Sequence, residues 1–175
     1  MKLTWFGNSC FRLHAGGRIV VVDAGRAPTG IDRTELLGGA DQAVETGGSD
    51  LRVAGPGEWK PRPARRLLDA GEAVRMADVW VVGLEALLID AEGEAPVLLA
   101  GAALSGLGKW ADRAVIVLHG ADLAHRGTAI LENRTPRLLA LAGSESEIDA
   151  AFAVLRGQLD GTGLLALEPG LAVEV

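Results

Sequence analysis

The feature that most constrains this chain is its repeated use of short apolar runs, each three or four residues long and separated from the next by Gly, Asp, Glu or Pro. Runs at 19–22, 79–82, 86–89, 97–99, 115–118 and 138–141 have the length and β-branched content of strands. All fall far short of the roughly 20 apolar residues that a membrane-spanning helix needs. Ile19-Val20-Val21-Val22 has no polar interruption and ends at Asp23, which reads as a strand buried on both faces with a carboxylate at its exit. In the opening segment Leu3, Trp5, Phe11 and Leu13 share one face of two strands. Gly7-Asn8-Ser9 and Ala15-Gly16-Gly17 supply the turns.

Helices are fewer. Residues 122–133 carry Leu123, Ala124, Thr128, Ile130 and Leu131 at helical spacing until Thr135-Pro136, after which 138–141 reads as a strand. Ser144 followed by Glu147 forms a capping-box signature. Ile148, Ala151, Phe152 and Leu155 then make the apolar stripe of the best-marked helix. Residues 164–167 and 171–175 flank Glu168-Pro169-Gly170 and are expected to pair as a terminal hairpin. The chain is expected to form one α+β domain over residues 1–175, with half-sheets at roughly 1–66 and 73–175.

Composition narrows the function. With 49 % apolar residues in 175, the chain can bury a core, and its net charge of −6 disfavours nucleic acid and anionic membranes as partners. The N-terminus reaches Gly7 and Asn8 too soon for a secretory signal. The single Cys10 forms no internal disulfide, so a cytoplasmic location is expected.

Chemistry-bearing motifs are sparse. The three histidines are His14, His119 and His125. His14 reads as a surface residue, whereas His119 stands at a strand end, where α/β proteins gather ligands. A His119, Asp122 and His125 metal site is the sharper reading, and ordinary hydrogen-bonded or exposed histidines are the weightier one. Ser105 lacks a nucleophile elbow, and Cys10 has no cationic neighbour in sequence. The Gly-rich stretch 101–108 lacks the lysine of a phosphate loop. The pairs Asp90 with Glu92 and Glu145 with Glu147 read as solvated charges. Lys60, Arg62, Arg65 and Arg66 form the one basic cluster, either a solvated loop or an anion site.

Two segments together resemble the metallo-β-lactamase-fold hydrolases, in their small lactonase-like bacterial branch. One is Met1-Lys2-Leu3-Thr4-Trp5-Phe6-Gly7-Asn8-Ser9-Cys10-Phe11-Arg12-Leu13 followed by Gly17-Arg18-Ile19-Val20-Val21-Val22-Asp23. The other is Val53-Ala54-Gly55-Pro56-Gly57-Glu58-Trp59. They cover the first third of the chain. Beyond Trp80 the likeness is one of strand order. The resemblance implies a shortened four-layer αβ/βα sandwich.

The departures bear on function. Asn8 stands where the family has His, and the His-rich metal loop is missing between Asp41 and Gly55. The later ligand positions read Ala100-Gly101-Ala102 and Ala140-Leu141-Ala142-Gly143. No metal ligand carries over, no cofactor is expected, and Asp23 keeps a structural or supporting part. The leading expectation is a catalytically inactive relative that binds a protein partner or a small ligand, with a homodimer among the options and Trp59 and Trp110 as interface anchors. Trp5 and Trp80 read as core. The alternative is an altered hydrolase using Asp23, Glu58 and His119, with Asp122 in support and one metal or none. A third reading is an anion-binding module on Lys60, Arg62, Arg65 and Arg66. Asn8, Lys60, Arg62 and Arg65 are the candidate ligand contacts.

Overall fold

Alternation in the first fifteen residues produces the first hairpin. In the computed structural model, which describes residues 1–63 and 75–175, β1 (Lys2–Gly7) pairs antiparallel with β2 (Cys10–Ala15). Gly7 at φ 113° and Asn8 at φ 49° make the turn, in a region open to Gly and tolerated by Asn. Leu3, Trp5, Phe11 and Leu13 all enter one buried cluster. β3 (Arg18–Val22) continues the meander. Its apolar run serves two faces: Val20 and Val22 join that cluster, while Val21 packs behind it with Cys10, Ala24 and Leu36. Leu36 comes from α1 (Arg33–Leu37), a short helix whose cap Asp32 accepts a 2.7 Å hydrogen bond from the Thr34 N–H. β4 (Gln42–Val44) adds parallel to β3.

The second sheet takes β5 (Arg52–Val53), β6 (Asp78–Gly83), β7 (Ala86–Asp90), β8 (Val97–Ala100), β9 (Val115–His119), β10 (Leu138–Ala142) and β11 (Gly163–Ala166). Its spatial order is β11-β10-β9-β8-β7-β6-β5, and β8 to β11 run parallel. α2 (Leu123–Leu131) crosses from β9 to β10 and α3 (Glu145–Leu155) from β10 to β11, as parallel neighbours require. Val115, Val117, Ala140 and Ala142 face the first sheet. Ile116, Leu118, Leu139 and Leu141 alternate with them to face the helices. Burial on both sides explains why these strands carry no polar residue before His119 at the end of β9.

The protein is thus an α+β fold of two mixed sheets packed face to face, with α2 and α3 on the outer face of one and the short α1 on the outer face of the other. No helix among the described residues is long and apolar enough to cross a membrane.

Two expectations about pairing fail. Residues 164–167 and 171–175 do not form a hairpin. β11 extends the seven-stranded sheet beside β10, and β12 (Ala172–Glu174) lies antiparallel to β1 in the five-stranded sheet, in order β12-β1-β2-β3-β4. The intervening turn spans the two layers, and the Gly170 N–H donates to the Trp5 carbonyl at 2.7 Å. Splitting the pair covers two sheet edges, where a local hairpin would cover at most one. β5 likewise precedes residue 66 yet joins the second sheet, so the half-sheet boundary near 66–73 does not separate the layers.

Candidate active-site cleft at the strand ends

The parallel strands β8, β9 and β10 finish at one end of the second sheet, with Ala100 level with Leu118 and His119 level with Ala142. The chain leaves them at Gly101, Gly120 and Gly143. Open α/β sheets bind ligands at this end, where backbone and loop groups converge outside the strands. From the facing sheet come the β1–β2 turn and the 3-10 turn Ala24–Arg26 that follows β3. Between them lies an open cavity of about 410 Å³ lined by Asn8, Ser9, Arg26, Glu85, Gly101, His119 and Gly120. A neighbouring cavity of about 590 Å³ shares Asn8 and Gly120 and adds Trp5, Pro28, Ala121 and Ala142.

His119 is half-buried and rests edge-on against the Phe11 ring, with centroids 5.4 Å apart. On its other side it lies against Gly101, where a Cβ would stand 2.6 Å from Cε1 and 3.1 Å from Nε2. Burial, assisted by the Arg126 cation, pushes the imidazole pKa down to about 4, and the nearby Asp23 opposes the shift. The ring is therefore neutral at pH 7. Neither ring nitrogen donates to or accepts from a carboxylate or carbonyl among the described residues. Arg126 lies behind the strand ends: its guanidinium donates to the carbonyls of His119 at 2.9 Å, Ala121 at 3.0 Å and Ala100. It ties the ends of β8 and β9 together.

Asp23 is fully buried at φ 50°, and its Oδ1 accepts from the Thr46 N–H while Oδ2 has no partner among the described residues. It is close enough to His119 to act electrostatically, yet the two share no hydrogen bond. Asn8 is exposed at the cavity rim. Its Nδ2 donates to the Arg26 carbonyl at 3.0 Å, and its own carbonyl accepts from the Trp5 indole at 3.0 Å. Asn8 and His119 are thus brought together, with Asp23 behind them.

Other candidates lie elsewhere. Glu58 is exposed on the loop after β5, folded back towards Gly55, and lines neither cavity. Lys60 is exposed. Arg62 weighs against the anion-site reading, because its guanidinium is already engaged: Nη2 meets Asp78 Oδ2 at 2.9 Å and donates to the carbonyls of Met76 and Asp90. Its backbone N–H donates to Asp90 Oδ2 at 2.8 Å. Asp90 is accordingly buried, not solvated; burial raises its pKa and Arg62 opposes that shift. Arg65 and Arg66 fall outside the described residues.

His14 and His125 are both exposed, and Asp122 with His125 does not join His119 in a ligand set. Among the described residues, no three His, Cys, Asp or Glu side chains converge to hold a metal ion. The buried Cys10 thiol is pushed up to about 11, first by burial and then by Asp23 and Glu45, which makes it a poor nucleophile. Trp59 and Trp110 are buried and stacked edge to face at 5.2 Å, with the Trp110 indole donating to the Pro56 carbonyl, so neither is an exposed anchor.

Sequence reasoning missed Arg26, Glu85, Ser9 and Arg126. For Arg126 a signal existed: it sits three residues after Leu123 and four before Ile130, so a charge interrupts the apolar stripe of α2. Such a charge needs buried partners. Comparison with family models, with curated proteins and with solved structures finds no match to this chain.

Proposed function

We propose that the chain is a reduced metallo-β-lactamase-type sandwich whose strand-end cleft binds a small polar ligand and has given up the metal pair of that fold. The strand order, the quoted opening residues and the position of the cleft support the fold assignment. A metal pair does not fit the side chains present. The strand ends offer one imidazole, with Asn8, Gly101 and Gly143 in place of further donors, and Asp23 is turned to the Thr46 N–H. The observation that carries the ligand-binding reading is His119, a neutral ring in an open cavity whose nitrogens have no hydrogen-bond partner among the described residues. A hydrolase built on Asp23, Glu58 and His119 is disfavoured because Glu58 stands outside the cleft. A reducing cytoplasm suits the buried free Cys10.

Metal titration by calorimetry with zinc and manganese, on the wild type and on His119→Ala, tests this directly. The expected result is no stoichiometric uptake by either protein. One tightly held metal per chain, lost in His119→Ala, would overturn the reading and put the hydrolase first.

A further inference from the structure

The cleft holds two opposite charges that the fold leaves unspent. Arg26 ends the 3-10 turn after β3, on the five-stranded sheet, and Glu85 stands in the β6–β7 turn of the seven-stranded sheet. Both side chains are exposed, both line the His119 cavity, and neither forms an ion pair or a side-chain hydrogen bond with any described residue. Because they come from opposite sheets, the cavity has one cationic wall and one anionic wall.

The anionic wall is held in place by the backbone. Glu85 takes φ 50° in its turn, and its carbonyl accepts a 2.8 Å hydrogen bond from the Gly101 N–H. The missing side chain at Gly101 admits the carboxylate and the imidazole to the same spot: a Cβ there would stand 3.0 Å from Glu85 Oε2 and 3.1 Å from His119 Nε2. A singly charged ligand would leave one wall uncompensated, whereas a ligand with separated opposite charges satisfies both. A neutral imidazole beside the carboxylate has a lone pair for an ammonium N–H and no charge to repel it. Next door, Trp5, Pro28, Ala121 and Ala142, with Ser144 and Glu147 beside them, line a lobe with room for a side chain.

Building on the ligand-binding reading above, we propose that the ligand is a small zwitterion of the free α-amino acid class. Its carboxylate meets the Arg26 guanidinium, its ammonium meets the Glu85 carboxylate and the His119 ring, and its side chain enters the adjoining lobe.

The test is calorimetric titration of the full chain with free α-amino acids spanning small, branched and aromatic side chains. For the tightest binder, its primary amide removes the carboxylate and its N-acetyl derivative removes the ammonium. The free amino acid is expected to bind about tenfold or more tightly than either derivative, the scale of one charge-assisted contact. Arg26→Gln should bring its affinity down to that of the amide without changing amide binding. Glu85→Gln should do the same with respect to the N-acetyl form. Both positions are exposed, so both variants are expected to melt like the wild type. Equal binding of a derivative and its parent overturns the proposal, as does saturable binding by none of the amino acids. The metal titration judges the underlying binding-site reading separately.

Discussion

Gly101 shows how much of the cleft rests on a single missing methyl group. In Gly101→Ala the new Cβ would meet His119 Cε1 at 2.6 Å, so the ring must swing towards solvent. We expect the His119 pKa to climb from about 4 back towards 6.5, followed by NMR titration of the ring protons, at a stability cost of about 1–2 kcal/mol. An unchanged titration would remove Gly101 from this part. The same imidazole makes a pH prediction. Its folded pKa lies below its unfolded value, so the unfolded chain binds the extra proton first as the pH falls. Stability is fully present above pH 6.5 and declines between pH 6.5 and about 4, by on the order of 3 kcal/mol from this group. Urea midpoints across that window should fall more steeply for the wild type than for His119→Gln. At this scale His119 was legible, because a polar residue closing a buried strand stands out. Arg26 and Glu85 were not: each is an ordinary charged turn residue until two sheets bring them to one cavity.

Among the elements, α2 and α3 were legible from their stripes and breakers, but their contact was not. Ser144 caps α3 as its sequence indicates, with Oγ accepting from the Glu147 N–H at 3.4 Å. The Glu147 carboxylate crosses instead to the neighbouring helix and accepts from the Leu123 N–H at 3.2 Å. A capping box is a local motif, and the first orphan N–H of α2 offered a better donor than the chain's own cap. Gly127 has a similar explanation. It lies mid-helix, where Ala is preferred by about 1 kcal/mol. A Cβ there, however, would stand 2.7 Å from Leu155 Cδ1 of α3. Overpacking costs about 1–3 kcal/mol, so Gly127→Ala should be neutral to destabilising by about 2 kcal/mol despite its better propensity. A raised urea midpoint would show that the helices slide apart freely.

For the whole molecule, the Arg62 network does what the anion-site reading could not foresee. It ties the segment after β5 to Asp78 on β6 and to buried Asp90 at the end of β7. Arg62→Ala strands the Asp90 carboxylate in the interior and should cost about 3 kcal/mol, whereas adding Asp90→Asn should recover part of that loss. A double-mutant cycle on urea midpoints measures the coupling, and strict additivity would mean that the pair acts independently. What the sequence by itself determined is local: the strand runs, the turns at Gly7-Asn8 and Gly16-Gly17, the two longer helices with the Ser144 cap on one of them, and a strand-end histidine. These depend on periodicity and backbone freedom, which act over a few residues. Only the tertiary structure decided that β12 crosses to β1, that β5 joins the second sheet, that Arg62 is spent and Asp90 buried, and that Arg26 and Glu85 face one cavity. The reason is physical: sheet edges, buried charges and cavity walls are satisfied by partners distant in sequence, so the outcome depends on which surfaces meet when the two layers close.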